Sequence, residues 1–340
     1  MTLSQQVSEE SYQKLKQKNL QNTLGDYCRN AEWIWIGAHS RRKVTFQIGP
    51  KNHLGFFAEK SNNLIEITED PLAEKEISAL ILPLKKFLKS QEENLFTQVI
   101  TTLFDSGLDL VFTTKRELNF SQTQKLTDFA KEQNLNISYR VKNHITPIFL
   151  VRKNQIFYPD FKINLDSDIF IQATKSGLQS IIKIIRNFLE QNKNVKNIAD
   201  IYAGFGAYTF AIQDLAKEIF AFEGEEKMID LINKNAAANN LAKIKSSTRD
   251  LFLDPIRASE LKKFELAIIN PPRTGAAPQI SEIAKSALKN VIYASCNPES
   301  FKRDAEILID SGFKITNLTA LDQFYSTKHL ELVAIMQKNV

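Results

Sequence analysis

Asn197-Ile198-Ala199-Asp200-Ile201-Tyr202-Ala203-Gly204-Phe205-Gly206 is the stretch of sequence that decides the fold. A short apolar run ends at Tyr202, and two glycines separated by one residue follow it before a helical pattern begins. Glycine lets the backbone turn tightly and approach a ligand, and the start of a helix offers free N–H groups. The stretch therefore predicts a strand, a turn able to bind a ligand and a helix, although a G-x-G turn alone is a weak signal.

Outward from this stretch, short apolar strands alternate with helices through the C-terminal half of the chain. Such alternation predicts an α/β fold with a parallel, doubly wound sheet. The predicted strands are 197–202, 219–223, 244–249, 264–270 and 290–295, with 314–320 and 329–336 closing the domain. We expect the last strand to run antiparallel. Ligands of such sheets bind outside the carboxyl ends of the strands, so functional side chains are expected at that edge.

The first part of the chain has a different pattern. Tyr12, Leu15, Leu20 and Leu24 recur near helical spacing and predict an amphipathic helix. Hairpins and helices then mix without a regular alternation, which is typical of an α+β domain. The predicted domains are therefore an N-terminal helix (1–30), an α+β domain (31–165) and the doubly wound domain (166–340).

Composition excludes several classes of protein. The chain has 340 residues, of which 43% are apolar and 24% charged, so we expect folded domains rather than disorder. Only Cys28 and Cys296 are cysteines, which excludes a disulfide framework and a metal or iron–sulfur site built on four thiolates. The polar N-terminus and the lack of an apolar run of roughly 20 residues predict no secretion signal, no membrane partner and a cytoplasmic location.

Positive charge is concentrated near the N-terminus. The whole chain has 44 Lys and Arg against 39 Asp and Glu, and the excess lies between residues 10 and 60. Arg41, Arg42 and Lys43 are adjacent there, close in sequence to Trp33 and Trp35. Basic residues interleaved with aromatic ones suit phosphate contacts and base stacking, so this segment predicts nucleic-acid binding. An ordinary solvated face is the alternative.

Acidic residues end the next two strands of the predicted sheet. Glu223 lies 23 residues after Asp200, where a carboxylate is placed to accept hydrogen bonds from ribose hydroxyls. Together with Gly204, it favours a nucleoside cofactor. The third glycine of the dinucleotide fingerprint is missing, which points to S-adenosylmethionine rather than NAD. Asp250 ends the third strand and is either a partner of the adenine amino group or a helix N-cap.

Three further groups are expected at the carboxyl edge of the predicted sheet. Asn270-Pro271-Pro272-Arg273 stops the fourth strand, and its prolines either fix carbonyl groups facing the cleft or form a purely structural turn. Cys296 leaves the fifth strand just before a helix, whose dipole is expected to lower the pKa of the thiol. If the final strand is antiparallel, Glu331 lies at the same edge as Cys296. We therefore expect a cysteine and a carboxylate to share one site.

As a set, these motifs resemble the RNA uracil-5-methyltransferases, especially the ribosomal-RNA branch. The resemblance covers most of the chain and rests on DIYAGFG, FEG, NPPRTGA, YASCNP and KHLE, with FIQAT at 170–174. It implies a Rossmann-like methyltransferase domain that binds S-adenosylmethionine and acts on RNA, ribosomal RNA before transfer RNA. We expect a monomer, which suits a large RNA substrate. The cofactor contacts that it implies are Gln172, Tyr202, Gly204, Glu223, Asp250 and Asn270.

The resemblance also implies a mechanism. Cys296 would attack carbon 6 of a flipped uracil, and carbon 5 would then take the methyl group. Glu331 would remove the proton from carbon 5 as general base, and Pro272 and Arg273 would line the base pocket.

Three departures separate this chain from the family pattern. Asn270 stands where the family commonly has Asp, which removes a charge but keeps an acceptor oxygen. The cysteines of the iron–sulfur cluster that many ribosomal-RNA members carry are missing, so we expect no such cluster and no metal. We also expect no small N-terminal RNA-binding barrel of the kind found in many members.

Two other functions remain open on the sequence. Asn270-Pro271-Pro272 also resembles the motif of amino-group methyltransferases, but Arg273 replaces their stacking aromatic residue and that chemistry needs no Cys296. Alternatively, the chain is an RNA-binding relic that has lost catalysis. Cys296 and Glu331 argue against the relic. Substituting Cys296 by Ala separates the three functions.

Overall fold

A computed structural model of the protein describes residues 8–59, 61–325 and 327–338. The chain divides into two units, and each is described by itself. Unit 1 comprises Met1–Ile36 and Ser176–Val340, and unit 2 comprises Gly37–Lys175. The N-terminal helix therefore belongs to the same unit as the C-terminal sheet.

The helices and strands follow one another in the order given by their numbers. The helices are α1 (Glu9–Leu24), α2 (Lys75–Lys89), α3 (Phe120–Gln133), α4 (Lys175–Gln191), α5 (Ala207–Ala211), α6 (Glu226–Ala238), α7 (Ala258–Leu261), α8 (Ala277–Lys285) and α9 (Pro298–Asp310). The strands are β1 (Glu32–Trp35), β2 (Lys43–Ile48), β3 (Leu54–Phe57), β4 (Leu64–Glu66), β5 (Phe96–Phe104), β6 (Gly107–Thr114), β7 (Asn136–Val141), β8 (His144–Phe149), β9 (Asn154–Phe157), β10 (Lys162–Leu165), β11 (Asn197–Ile201), β12 (Glu218–Glu223), β13 (Ile244–Thr248), β14 (Leu266–Ile269), β15 (Asn290–Ser295), β16 (Phe313–Asp322) and β17 (Glu331–Lys338).

Unit 1 is built around one eight-stranded sheet with the order β1-β16-β17-β15-β14-β11-β12-β13. Strands β11 to β15 pair in parallel, and β17 pairs antiparallel with both β15 and β16. The carboxyl ends of β11 to β16 and the start of β17 therefore meet at one edge. The predicted doubly wound sheet with an antiparallel last strand is confirmed.

Strand β1 is an element of this sheet that the sequence analysis did not predict. It pairs in parallel with β16, from Glu32 opposite Thr319 to Trp35 opposite Asp322. Its partner lies at the other end of the chain, so nothing in the local sequence announces the pairing. Trp33 and Trp35 point to one side of the strand, where their rings stack with centroids 4.8 Å apart.

Helix α1 is anchored by a stripe that differs from the predicted one. Tyr12, Lys16, Leu20 and Leu24 are buried at a spacing of four residues, whereas Leu15 is 40% exposed. The apolar residues alone suggested that Leu15 faces the core. The correct stripe includes a lysine, because its ammonium group has a buried acidic partner, described below.

Unit 2 contains a seven-stranded sheet with the order β4-β3-β2-β5-β6-β7-β8, and a separate β9–β10 hairpin. Helices α2 and α3 contribute apolar faces to a core shared with this sheet, including Ile81, Leu88 and Phe129. The predicted α+β organisation of this region is confirmed. Unit 2 begins at Gly37 and ends at Lys175, which is six residues after the predicted start at 31 and ten residues after the predicted end at 165.

Two of the three adjacent basic residues in the predicted patch, Arg42 and Lys43, make contacts inside unit 2. Arg42 is only 2% exposed, and its Nε donates to the carbonyl of Gln172 at 3.0 Å. The Nζ of Lys43 lies 2.9 Å from a carboxylate oxygen of Asp168 and donates to the carbonyl of Ile169 at 3.0 Å. The expectation that Arg42 is available to phosphate groups is therefore wrong, because its guanidinium group is buried against backbone.

Candidate active site

The turn after β11 has the backbone conformation that its glycines permit. Gly204 and Gly206 have φ angles of 55° and 84°, and Tyr202 also lies in the left-handed region at 62°. A Cβ atom at Gly204 would meet no atom within 4 Å, so the space beside this turn is open. The turn thus exposes backbone at the carboxyl edge of the sheet, as predicted.

Glu223 ties this turn to the neighbouring strand. Its Oε2 accepts a hydrogen bond from the N–H of Gly204 at 2.9 Å. Its Oε1 accepts from the N–H groups of Gly224 and Glu225 at 2.7 and 3.2 Å. Each carboxylate oxygen has more than one acceptor direction, so the side chain can hold the loop and still accept from a ligand hydroxyl.

The next two edge residues have structural partners. Asp250 Oδ1 accepts from the N–H groups of Phe252 and Leu253 at 3.0 and 3.1 Å, and residues 251–253 form a turn rather than the start of a helix. The N–H of Asn270 donates to the carbonyl of Ile201 at 3.2 Å, which places the end of β14 beside that of β11. Contacts of Asp250 and Asn270 with a cofactor stay predictions.

Tyr202 supplies a second sign that a ligand belongs at this edge. Within the described part of the chain, its hydroxyl group is buried without a hydrogen-bond partner. Burial raises the pKa of this hydroxyl well above its usual value, with further contributions from Asp304 and Asp250. An unpaired buried hydroxyl beside an open glycine turn fits a polar nucleoside cofactor. Gln172 lies in unit 2, and its predicted cofactor contact also stays a prediction.

The Pro-Pro-Arg loop after β14 is held by a buried acid. Asp304, on α9, is fully buried and its Oδ2 accepts from the N–H of Ala276 at 2.6 Å and from the hydroxyl of Tyr293 at 2.7 Å. Gly275 has a φ of 82°, and a Cβ atom there would lie 2.6 Å from the same oxygen. Sequence reasoning missed Asp304, whose only signal is an acid within the apolar face of a helix.

Arg273 and Asn297 connect the Pro-Pro-Arg loop to the segment that carries Cys296. Asn297 caps α9 by accepting from the N–H of Glu299 at 3.1 Å, and its Nδ2 donates to the carbonyl of Arg273 at 2.9 Å. The Nη2 of Arg273 lies 3.0 Å from Nδ1 of His329. Arg273 therefore lies between Cys296 and His329.

Cys296 and Glu331 are brought together by strand register. Ser295, the last residue of β15, lies opposite Leu332 of the antiparallel β17, so the next position along places Cys296 beside Glu331. Glu331 is only 3% exposed, and its Oε2 accepts from Nε2 of Gln323 at 2.9 Å. The structure thus brings together the thiol and the carboxylate that the sequence predicted for one site.

The thiol of Cys296 has an electrostatic environment opposite to the one predicted. Its pKa is raised, first by burial and then by the charge of Glu331, and a hydrogen bond with Arg273 opposes both. The prediction of a lowered pKa is therefore wrong, because desolvation penalises the thiolate. The thiol is therefore largely protonated at neutral pH in the free protein.

A cavity of about 340 Å³ opens next to this cysteine. Residues of α1 and residues at the carboxyl edge of the sheet line this cavity. They include Lys16 and Leu20 on α1, and Arg273, Cys296, Asn297 and His329 at the edge. Lys16 donates to Oδ1 of Asp322 at 2.9 Å and to the carbonyl of His329 at 2.5 Å. Sequence reasoning missed Lys16, because a lysine within an apolar stripe shows itself only as a break in the pattern.

The described part of the chain offers neither a cluster of metal ligands nor a membrane-spanning helix. Over 8–59, 61–325 and 327–338, no group of three or more His, Cys, Asp and Glu side chains has an arrangement that could hold a metal ion. None of the helices in the same ranges is both long and apolar enough to cross a membrane.

The fold and the site together define a class: a Rossmann-like methyltransferase whose carboxyl edge combines a nucleoside-binding turn with a cysteine and a carboxylate. Residues 14–339 match the family described as tRNA (Uracil-5-)-methyltransferase. The chain belongs to this family, and it is an S-adenosylmethionine-dependent RNA uracil-5-methyltransferase. The resemblance identified from the motifs, the enzyme class and the cofactor are confirmed.

Individual relatives agree with this assignment. The chain is 30% identical to an RNA methyltransferase of Mesorhizobium japonicum, over 98% of this chain and 81% of that protein. It is 27% identical to the 23S rRNA (uracil(1939)-C(5))-methyltransferase RlmD of Shewanella piezotolerans, over 96% and 75% of the two chains. The crystal structure of the Pyrococcus abyssi tRNA (uracil-54, C5)-methyltransferase in complex with S-adenosyl-L-homocysteine is similar in fold, with a TM-score of 0.75 and 22% identity over 98% and 84% of the chains.

Proposed function

We propose that this enzyme methylates carbon 5 of a uridine in 23S ribosomal RNA through a covalent bond between Cys296 and the base. The observation that carries the proposal is the register that sets Cys296 beside the buried Glu331 at the carboxyl edge. Relatives named as 23S rRNA methyltransferases, from Shewanella piezotolerans and Aeromonas salmonicida, support the choice of RNA. The family description and the Pyrococcus abyssi structure name tRNA, so both RNAs enter the test.

The cofactor site fits S-adenosylmethionine, which supplies an electrophilic methyl group when bound. We propose that Glu223 accepts hydrogen bonds from the ribose hydroxyls. The open backbone at Gly204 and the unpaired hydroxyl of Tyr202 support a ligand beside it. Asn270, Asp250 and Gln172 are further proposed contacts, carried by motif resemblance. These groups bind and orient the cofactor and take no part in proton transfer.

The chemistry begins with the thiol. Cys296 loses its proton to solvent, and the thiolate adds to carbon 6 of the uracil, so that a sulfur–carbon bond forms and the electrons of the C5–C6 double bond move onto carbon 5 and the O4 carbonyl. Arg273 lowers the pKa of the thiol and thereby favours the thiolate. Pro272 and Arg273 are proposed to line the pocket of the flipped base.

The second half of the reaction restores the cysteine. Carbon 5 takes the methyl group, and S-adenosylhomocysteine remains. Glu331 then removes the proton from carbon 5, the C5–C6 double bond reforms, and the bond from carbon 6 to sulfur breaks to release the thiolate. Overall, one methyl group replaces one hydrogen on carbon 5, and one proton is released to solvent.

Labelled S-adenosylmethionine tests the proposal with 23S rRNA and tRNA that both lack 5-methyluridine. We expect label in 5-methyluridine of the 23S rRNA, found by nucleoside mass spectrometry, and none with Cys296→Ala. Cys28→Ala is the matched control and should keep activity. Label in a methylated amino base that survives Cys296→Ala would support the Asn-Pro-Pro chemistry instead. Binding of cofactor without any label would support the relic, and label confined to tRNA would overturn the choice of RNA.

A further inference from the structure

Gln323 is a buried glutamine that contacts Glu331, the proposed general base, directly. It follows the end of β16 and is 2% exposed. Its Nε2 donates to Oε2 of Glu331 at 2.9 Å. Its Oε1 is buried as well, and within the described residues it has no hydrogen-bond partner. An acceptor left in this state is costly in a protein interior, so a partner is expected at some stage of the reaction.

The protonation of Glu331 provides such a partner. A carboxylate only accepts hydrogen bonds, whereas a carboxylic acid also donates one. An amide side chain has a donor at one corner and an acceptor at the other. A half-turn of the Gln323 amide about its last torsion therefore exchanges donor for acceptor while the side chain stays in place. The same residue can serve Glu331 before and after proton transfer.

Two other groups are also affected by the charge of Glu331. The hydroxyl of Tyr208 on α5 is buried, and the charge of Glu331 contributes to the rise of its pKa. The Cys296 thiol responds to the same charge. A tyrosine hydroxyl also donates and accepts, but Gln323 already has a hydrogen bond to Glu331, at 2.9 Å, and is therefore the group that we expect to respond to its protonation.

We propose that Gln323 is a positioning residue that holds Glu331 in both protonation states and so sets the rate at which carbon 5 loses its proton and Cys296 is released. This inference rests on the proposed covalent mechanism and adds a residue to it. It predicts that the loss of Gln323 slows the resolution of the covalent intermediate and leaves methyl transfer nearly unchanged.

Single-turnover measurements with doubly labelled substrates test this prediction. The RNA carries tritium on carbon 5 of uridine, and S-adenosylmethionine carries carbon-14 in its methyl group. With Gln323→Met, which keeps the volume but removes the amide, we expect methyl incorporation within about twofold of wild type and tritium release slower by about tenfold or more. A protein–RNA adduct that survives denaturing electrophoresis should accumulate. Gln337→Met, at the far end of β17, should change neither rate.

Further variants separate positioning from structural loss. Glu331→Gln should block tritium release and accumulate the adduct, and adding Gln323→Met to it should have no further effect, because Gln323 acts through Glu331. Equal slowing of both rates in Gln323→Met, or unchanged tritium release, would overturn the inference. If methylation persists in Cys296→Ala, the covalent mechanism itself fails, and that outcome is distinct from any result at Gln323.

Discussion

The thiol of Cys296 lies between two opposing charges, and single substitutions can separate them. Glu331 raises the pKa of the thiol, whereas Arg273 lowers it. Glu331→Gln removes a negative charge, so the pKa of Cys296 should fall, and its alkylation by iodoacetamide should extend to lower pH. Arg273→Met should have the opposite effect. The rates are measured against pH by mass spectrometry of the peptide that contains Cys296.

The second cysteine provides an internal control for this measurement. Cys28 is buried near the end of α1, and burial raises its pKa independently of Glu331. Its alkylation profile should be the same in wild type, Glu331→Gln and Arg273→Met. An unchanged Cys296 profile in Glu331→Gln would contradict the arrangement in which the two groups share one site.

A buried ion pair between Lys16 and Asp322 fixes helix α1 to the carboxyl edge of the sheet. Lys16 and Asp322 have side chains only 6% and 1% exposed, and Tyr12 donates to the second oxygen of Asp322 at 2.7 Å. Lys16→Met would leave the Asp322 charge buried without its partner. We expect the free energy of unfolding to fall by about 3 kcal/mol, measured by urea denaturation.

A double substitution tests the origin of that loss. In Lys16→Met combined with Asp322→Asn, no buried charge remains, so the loss should be clearly smaller than the sum of the two single effects. Lys14→Met, on the exposed side of the same helix, should change stability little. Additive single effects would contradict a coupled pair.

The eight-stranded sheet shows where prediction from sequence succeeds and where it fails. The strands from β11 to β15 were predictable, because each is a short apolar run between helices and the carboxyl-edge rule then collects their terminal residues. The antiparallel β17 followed from the same reasoning, and it placed Glu331 near Cys296. Strand β1 was not predictable, because its partner is distant in the chain.

The missed residues share a physical cause. Lys16, Asp304 and Gln323 are polar groups on otherwise buried faces, and their burial depends on partners brought from other elements. Hydrophobic patterns treat such residues as interruptions. The prediction that Arg42 is available to phosphate groups was wrong for the same reason. The sequence does not reveal that the guanidinium group of Arg42 donates to the carbonyl of Gln172.

Each unit contains a buried carboxyl group whose pKa is raised. Burial raises the pKa of Asp109 in unit 2 and of Asp200 in unit 1 to about 6. Asp200 accepts from the backbone and the hydroxyl of Thr209, and these hydrogen bonds offset the desolvation only in part. Both groups are therefore easier to ionise in the unfolded chain than in the folded one.

The sign of the resulting pH dependence follows from linkage. A carboxyl group with a raised pKa binds its proton more tightly in the folded state than in the unfolded state. Its ionisation therefore lowers stability above pH 6, and this loss disappears as the pH falls toward 3.8, the pKa of the group in the unfolded chain. Raising the pKa from 3.8 to about 6 corresponds to a cost of about 3 kcal/mol for each group at pH 8.

Asparagine substitutions isolate this contribution from those of the other carboxyl groups. Asp200→Asn keeps an acceptor for Thr209 and removes the ionisation, so its stability relative to wild type should be higher at pH 8 than at pH 5 by about 1 kcal/mol. Asp109→Asn should behave in the same way, and the exposed Asp160→Asn should show no such difference. The free energies come from urea denaturation at the two pH values. A pH-independent difference for Asp200→Asn would mean that its carboxyl group is already ionised at pH 5 in the folded protein, as it would be if Thr209 and neighbouring N–H groups compensated its burial completely.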